Sequence, residues 1–394
     1  MQNNSIAGIF SRLSSKALLS EPNGLTVTAP LSGDIIACIA EDTPGTLNEK
    51  IARASAAQKT FSALPRRERE KFLESIAAAI KAQREPLVEC LSIESGKTVK
   101  EGLIEADGAV SVLLNTIKDA SLAEQGGMRR VKERPPVGNV GLITSFNFPM
   151  VVAYWTLAPA LLAGNAVIWK PSEKTPLTAL ACKAVFDQAA GAYKDLLQIL
   201  MGGREIGQAL VAHEKVGLIS ATGSVAMGKG IQATLARKKN NQVPPILELG
   251  GNNGVIVSER MSDEHLAWSL AALMNSFLGT TGQRCTNTRR VFVHASLYEK
   301  VVTILKANID TFLTSAMKDG GFDPGNAYGY SALIDKDAFD RFECAKKQAA
   351  EEGGKIILGR RLFEKDPGAY YVEPALALMP KQTPVMHEET FAPL

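Results

Sequence analysis

Between residues 140 and 221 the chain repeats one rhythm four times: a short apolar run, then a stretch with helical spacing. The runs are residues 140–144, 166–170, 196–201 and 216–221. Parallel strands cannot be joined by a tight turn, because the return crossover takes a dozen or more residues and is usually a helix. Strand-helix alternation therefore confines this region to an α/β fold with a parallel, doubly wound sheet. Upstream, residues 49–118 are Ala-rich with apolar side chains three and four apart, broken at Leu64-Pro65 and near Ser95-Gly96, which predicts a run of packed helices. Downstream, Gly250, Gly251 and Gly254 interrupt the strand-like stretch 246–257, and a domain boundary is expected there. Beyond it a second mixed unit follows, with helices over 264–277, 297–314 and 336–352 and strand-like stretches at 290–294, 355–358 and 370–374.

Length supports two domains, since 394 residues exceed the roughly 250–300 at which one core stops growing. A first domain of 1–125 and 137–250 and a second of 251–394 are expected. They are separated in sequence from residues 126–136, which Gly126-Gly127 open and Pro135-Pro136 end in the manner of an exposed edge arm. A hydrophobic fraction of 45% with 22% charged residues excludes a disordered chain. The formal charge of +3 is small, and basic residues alternate with acids apart from Arg237-Lys238-Lys239, a solvated helix end rather than a nucleic-acid site. No uncharged apolar stretch of about 18 residues occurs and residues 1–15 lack a signal-peptide core, so a cytoplasmic protein without membrane contact is expected. Five cysteines, an odd number without a Cys-x-x-Cys pair, predict free thiols and no metal.

One of those thiols stands out. Cys285 lies in Gly282-Gln283-Arg284-Cys285-Thr286, a segment too polar and glycine-rich for a buried strand and open to a substrate. A thiol needs nearby positive charge to become a nucleophile at neutral pH, and Arg284 or an oxidised nicotinamide can supply it. By itself the same pattern also describes an inert packing cysteine. Glu248, between Leu247 and Leu249, reads as a carboxylate raised by burial toward a usable general base, or equally as a salt-bridged or capping glutamate. Asn147, between Phe146 and Phe148 at the end of a strand after Thr144, presents an amide that can donate to an oxyanion. No Gly-x-Gly-x-x-Gly follows a strand, but Thr222-Gly223-Ser224 with Gly228 offers a strand-to-helix turn whose amides can face a phosphate. Beside it, Trp169-Lys170-Pro171-Ser172-Glu173 ends another strand, with Lys170 able to donate to ribose hydroxyls and Glu173 to accept from them. An acid in that place favours NAD over NADP.

Taken together with Leu247-Glu248-Leu249-Gly250-Gly251-Asn252 and Glu389-Thr390-Phe391-Ala392-Pro393, these motifs resemble the aldehyde dehydrogenase superfamily in order and along essentially the whole chain. The wording of the last three is most similar to the alpha-aminoadipic semialdehyde dehydrogenase (antiquitin) branch. The resemblance implies a Rossmann-like NAD-binding domain, a catalytic α/β domain and a small oligomerisation arm at 126–136. It implies that Cys285 attacks an aldehyde, that Asn147 and the Cys285 amide hold the oxyanion, and that Glu248 activates the hydrolytic water. Cofactor contacts are implied at Thr144, Trp169, Lys170, Glu173, Gly223, Ser224, Glu389 and Phe391. Arg284 and Glu105 match positions that hold a polar substrate tail, and a carboxylate-bearing semialdehyde of lysine catabolism suits a guanidinium; local packing is the other reading of both. The resemblance also implies that family members continue past the last motif, so the catalytic domain is expected to be incomplete and a homo-oligomer to form only if the missing segment is supplied. The competing reading is a catalytically weak remnant that only binds the nucleotide. A thiol hydrolase built on Cys285 finds no obvious partner among His213, His265, His294 and His387.

Overall fold

The computed structural model describes residues 6–14, 21, 23–125, 135–239, 243–318, 330–362 and 368–394. They group into two compact units: residues 1–28, 35–95 and 102–249 form the first, and residues 29–34, 96–101 and 250–394 the second. Residues 126–134, most of the expected arm, lie outside the described residues.

The first unit opens with α1 (Ile6–Arg12) and a hairpin of β1 (Leu25–Thr28) and β2 (Ile35–Ile39). Four helices follow, α2 (Pro44–Ser62), α3 (Arg66–Ala82), α4 (Arg84–Ser95) and α5 (Val99–Gln125). Proline at the head of α2 costs no hydrogen bond, because the first helical N–H groups have no partner in any case. Thr43 and Thr46 close a reciprocal capping box there, the Thr43 hydroxyl accepting from the Thr46 N–H and the Thr46 hydroxyl from the Thr43 N–H. Then the predicted alternation appears: β3 (Asn139–Ile143), α6 (Val151–Leu162), β4 (Ala166–Lys170), α7 (Pro176–Ala190), β5 (Leu197–Ile199), α8 (Arg204–Ala212), β6 (Val216–Gly223), α9 (Val225–Ala236) and β7 (Ile246–Leu249). All five strands are parallel in the order β5-β4-β3-β6-β7. Strand order moves outward from β3 through β4 to β5 and then returns to place β6 on the other side of β3. That reversal makes the carboxyl ends of β3 and β6 a topological switch point, where doubly wound sheets hold ligands. Every residue of β3, β4 and β5 is buried, as continuous apolar strands covered on both faces must be.

A buried acid stitches the helical run to the sheet layer. Glu94 on α4 accepts from the Leu177 and Thr178 N–H groups at 2.5 and 2.7 Å and from the Thr178 hydroxyl at 2.6 Å, closing the start of α7. Burial pushes its carboxyl up to about 8 in spite of those donors. A folded-state value raised above the unfolded one contributes stability below the ordinary carboxylate range, and that contribution is lost as pH rises toward about 8. Melting temperature is therefore expected to fall more between about pH 5 and about pH 9 in the parent chain than in Glu94→Gln, which has nothing to titrate there. Equal pH dependence of the two proteins in calorimetry would rule Glu94 out as the source.

The second unit contains β8 (Asn253–Val257), α10 (Asp263–Leu278), β9 (Thr288–Val293), α11 (Tyr298–Lys318), α12 (Lys336–Glu351), β10 (Lys355–Leu358) and β11 (Ala375–Leu378). Strands β8 and β9 pair in parallel, whereas β10 and β11 pair antiparallel. The strand-like run expected at 370–374 is realised only as a bridge between Arg361 and Val372, and regular pairing begins at Ala375. The core is a helix seam: Leu266, Leu270, Leu273 and Phe277 on α10 share it with Val301, Leu305, Ile309 and Leu313 on α11, at spacings of three and four. Ser262 caps α10, with Asp263 and Glu264 in its first turn facing the positive end of the helix dipole. Among the described residues no helix is long and apolar enough to cross a membrane.

Candidate active site

In the first unit, four of the motifs lie along one edge of the sheet, because each falls at the carboxyl end of a strand. Thr144 follows β3, Lys170 ends β4, Gly223 ends β6 and Glu248 lies in β7. Thr144 accepts from the Trp169 Nε1 at 2.8 Å, and Trp169 is wholly buried, so it supports the edge from within rather than offering a ring to a ligand. Lys170 is also buried; its Nζ donates to the Pro171 carbonyl at 2.8 Å and to the half-exposed Glu173 carboxylate at 3.3 Å. Burial lowers the Lys170 ammonium, with Glu173 pulling it back. Ser224 accepts from the Met227 N–H at 3.1 Å as the cap of α9, which turns the first amides of that helix toward the sheet edge.

Asn147 is buried in the loop after β3, and the Ser145 hydroxyl donates to its Oδ1 at 2.7 Å. Using the oxygen this way leaves Nδ2 as the donating end. Among the described residues nothing accepts from Nδ2, so this end of the amide is able to donate. Glu248 departs from the sequence expectation of burial. Strand β7 is the sheet's outer strand, alternation turns Leu247 and Leu249 inward, and the Glu248 side chain between them is exposed. Glu105, the position matched to a substrate-tail residue, accepts from the Met150 and Val151 N–H groups at 3.1 and 3.2 Å, capping α6 within the first unit.

The second unit carries the loop of Cys285, the candidate nucleophile. Cys285 is exposed, and its carbonyl accepts from Asn253 Nδ2 at 2.7 Å, while the same amide also reaches the Asn287 carbonyl at 2.9 Å. The Asn287 N–H donates to the Arg284 carbonyl at 3.2 Å, so the chain turns tightly around the cysteine. By contrast Cys90 and Cys182 are buried, and burial pushes both thiols far up, which makes them inert. Just before the loop, Thr280 and Thr281 both adopt left-handed backbone, with φ of 50° and 52°. Such a conformation in a β-branched residue costs about 1–3 kcal/mol and persists only where the surroundings enforce it. Here Thr281 donates to the Ser331 carbonyl at 2.6 Å, and Thr280 gives both its N–H and its hydroxyl to Glu101, at 2.8 and 3.1 Å. Gly282 follows with φ of 71°, and a Cβ there would run into the backbone of Ala392.

Two residues that hold this loop, Glu101 and Arg289, were not singled out by their sequence. Glu101 is the acid that meets Arg284, whose Nη2 donates to it at 3.0 Å while Nε donates to the Thr280 hydroxyl at 2.9 Å. Burial raises the Glu101 carboxyl, but Lys97 and Arg284 outweigh it and the net shift is downward. Arg289 is the second such residue. Only 3% of its side chain is exposed, and it donates to the carbonyls of Gly282 at 2.6 Å, Arg284 at 3.0 Å and Ala392 at 3.3 Å. Its Nη2 also meets the Glu389 carboxylate at 3.5 Å, and its guanidinium lies 5.6 Å from the Phe391 ring centroid. Glu389 lies against the bare Gly250, where an added Cβ would meet its carboxylate and displace it. A bare sequence signal existed for Arg289, a charged residue entering a strand four positions after the cysteine. Nothing in sequence gave it a partner.

Comparison with known proteins decides the family. A family model described as the aldehyde dehydrogenase family matches residues 19–394. The chain belongs to the aldehyde dehydrogenase family. As a member of it, the protein is an NAD(P)-dependent aldehyde oxidoreductase. This aldehyde dehydrogenase is 32% identical over 385 residues to the alpha-aminoadipic semialdehyde dehydrogenase of Rattus norvegicus, covering 94% of this chain and 68% of the rat protein. It is 30% identical to aldehyde dehydrogenase family 7 member A1 of Pisum sativum, covering 94% of this chain and 73% of the pea protein. Among solved structures, a double mutant of betaine aldehyde dehydrogenase from Staphylococcus aureus in complex with NAD+ superposes with a TM-score of 0.82 at 27% identity, covering 94% of this chain and 74% of that one.

Proposed function

We propose that this aldehyde dehydrogenase oxidises a semialdehyde with a charged tail, of the alpha-aminoadipic semialdehyde type found in lysine degradation, to its carboxylic acid. The observation that most supports the reading is the exposed Cys285 on a loop held by hydrogen bonds from Asn253, Thr281 and Arg289. In the proposed reaction the Cys285 sulfur adds to the aldehyde carbon, and the oxyanion of the thiohemiacetal is held by Asn147 Nδ2 and the Cys285 N–H. NAD, when bound, would supply the hydride acceptor for oxidation of that adduct to the thioester. Glu248 then takes a proton from the water that attacks the thioester, a role suited to a carboxylate that solvent reaches. The donor set fits the cofactor: Lys170 and Glu173 would hold the adenosine ribose, Thr144, Gly223 and Ser224 would line the pyrophosphate turn, and Glu389 and Phe391 would meet the nicotinamide half. Trp169 would act on that edge from beneath.

For the substrate tail, Arg284 already holds Glu101, so its charge is partly answered before a substrate arrives. A tail carrying both an amine and a carboxylate can address both members of that pair. Names of the rat, mouse and cattle relatives, all alpha-aminoadipic semialdehyde dehydrogenases, point to the same substrate. The deciding experiment follows NADH absorbance on adding alpha-aminoadipic semialdehyde or a simple aliphatic aldehyde. Preference for the semialdehyde supports the assignment; equal use of both removes the tail from it, and binding of NAD without turnover of either leaves a nucleotide-binding remnant. Glu248→Gln is expected to give a single burst of NADH and then stall with the thioester on Cys285, seen as an acyl adduct by intact-protein mass spectrometry. Steady turnover in that variant would take the base role away from Glu248.

A further inference from the structure

Lys170 and Glu173 share their end of the sheet with a third charged side chain, Glu41, which lies in the turn between β2 and α2 of the same unit. The next residue fixes its place. Asp42 gives its N–H to the Met201 carbonyl at 2.9 Å and accepts the Met201 N–H on Oδ2 at 2.7 Å. Lys50 donates both to the Asp42 carboxylate, at 2.6 Å to Oδ1, and to the Ile199 carbonyl at 2.8 Å. The turn is thereby strapped to the chain as it leaves β5. Beside that strap a Cβ on Gly202 would come within 3.1 Å of the Glu41 carboxylate, so the acid sits against this glycine. Lys170 reaches the same corner from β4. The Leu200 N–H donates to the Trp169 carbonyl at 2.8 Å, which sets the ends of β4 and β5 side by side. The Lys170 stem then crosses α8 at Gly207, 3.4 Å from where a Cβ there would stand, and Gly202 packs on Ile206 of the same helix. Glu173 already accepts from Lys170, whereas Glu41 is exposed and makes no hydrogen bond among the described residues.

We propose that Glu41 is a specificity-determining residue that turns away a cofactor carrying a phosphate on its adenosine 2′-hydroxyl. The proposal rests on the reading of Lys170 and Glu173 as ribose contacts. One ammonium beside two carboxylates leaves this corner with negative charge in excess. A ribose hydroxyl is neutral and can donate to a carboxylate, so the excess does not oppose it. A phosphate monoester carries about −1.5 to −2 at neutral pH and is repelled. Glu173 stands three residues after Lys170 and is committed to it; Glu41 is brought in by the fold with its carboxylate unengaged, and it acts through its field rather than through a contact. Selectivity then comes from a charge placed against the wrong ligand, in addition to the bonds made to the right one. The electrostatics at Lys170 agree with the geometry: burial lowers its ammonium, while Glu173 and, after it, Glu41 raise it.

The test is the dissociation constant of NADP and of NAD, each titrated calorimetrically into the full chain without aldehyde, so that turnover plays no part. At low salt Glu41→Gln is expected to tighten NADP binding about threefold and Glu41→Lys about tenfold, while NAD changes by less than about twofold. Raising the salt from about 0.05 M to about 0.5 M should remove most of the gain, since an exposed charge acting at a distance is screened. Glu173→Gln is the comparator and should tighten NADP as well. If Glu173→Gln gains NADP affinity and neither Glu41 variant does, the proposal is overturned and the ribose reading stands; if no variant of either acid gains, both are overturned. Equal tightening of NAD and NADP, or a gain that salt leaves untouched, also overturns the proposal, because the acid would then act on the shape of the corner rather than on the phosphate charge. Glu41 holds no hydrogen bond whose loss would unfold the turn, and a parental melting temperature checks that each variant is intact.

Discussion

Cys285→Ala is expected to lower aldehyde-dependent NADH formation by at least about 10⁴-fold, because removing a nucleophile leaves only the catalysis of binding and oxyanion stabilisation. NAD binding should survive, since the proposed cofactor contacts Lys170, Glu173 and Ser224 belong to the first unit and the cysteine, in the second, is not among the proposed contacts. Folding should survive as well: the side chain is exposed, and the loop is fixed through the Cys285 carbonyl, which alanine also provides. Steady-state NADH absorbance and a cofactor titration by intrinsic fluorescence together read the result. Turnover within a few-fold of the parent would show that the thiol is not the nucleophile, and simultaneous loss of NAD binding would show that the variant had failed for a structural reason.

Asn147→Ala is expected to reduce kcat about 10²- to 10³-fold with little change in KM for the aldehyde, the effect of removing one donor that acts on charge developed in the transition state. Ser145 makes the expectation specific. Its hydroxyl donates to the Asn147 oxygen at 2.7 Å, which fixes the position of the amide and leaves its nitrogen end to donate elsewhere. Ser145→Ala should consequently lower kcat too, by less, because the donor remains and only its orientation is loosened. An Asn147→Ala enzyme with parental kcat and raised KM would make the amide a ground-state binding group instead.

How much of this was legible beforehand varies with the range of the interaction. The strand at residues 166–170 forms over the predicted residues, and the runs at 140–144 and 216–221 form within two residues of their expected ends, because apolar continuity is a local property. The run at 196–201 shrinks to three residues, since a 3-10 turn ends at Leu196 and the chain leaves the sheet after Ile199. Glu248 was misjudged for burial because its apolar neighbours say nothing about which face of an outer strand it takes. Arg284 was legible as a charge beside a cysteine, but its partner Glu101 lies 183 residues away. Glu105, one helical turn further along α5, has the same chemistry and accepts from the Met150 and Val151 N–H groups; only the fold distinguishes the two. Trp169 reads as a ring at a strand end, and a strand covered on both faces buries it.

Gly279-Thr280-Thr281-Gly282 is composed like a linker, small and polar with a glycine at each end, yet it is among the least replaceable backbone in the second unit. Both threonine hydroxyls are committed, so a glycine that relaxed their left-handed angles would discard the contacts that hold Glu101 and the Ser331 carbonyl in place. A larger residue at Gly282 has nowhere to go. Random mutagenesis would therefore find this enzyme intolerant in a stretch where composition promises tolerance. Attempts to retune its substrate range have more room on the surfaces that face the thiol than in the short segment that aims it.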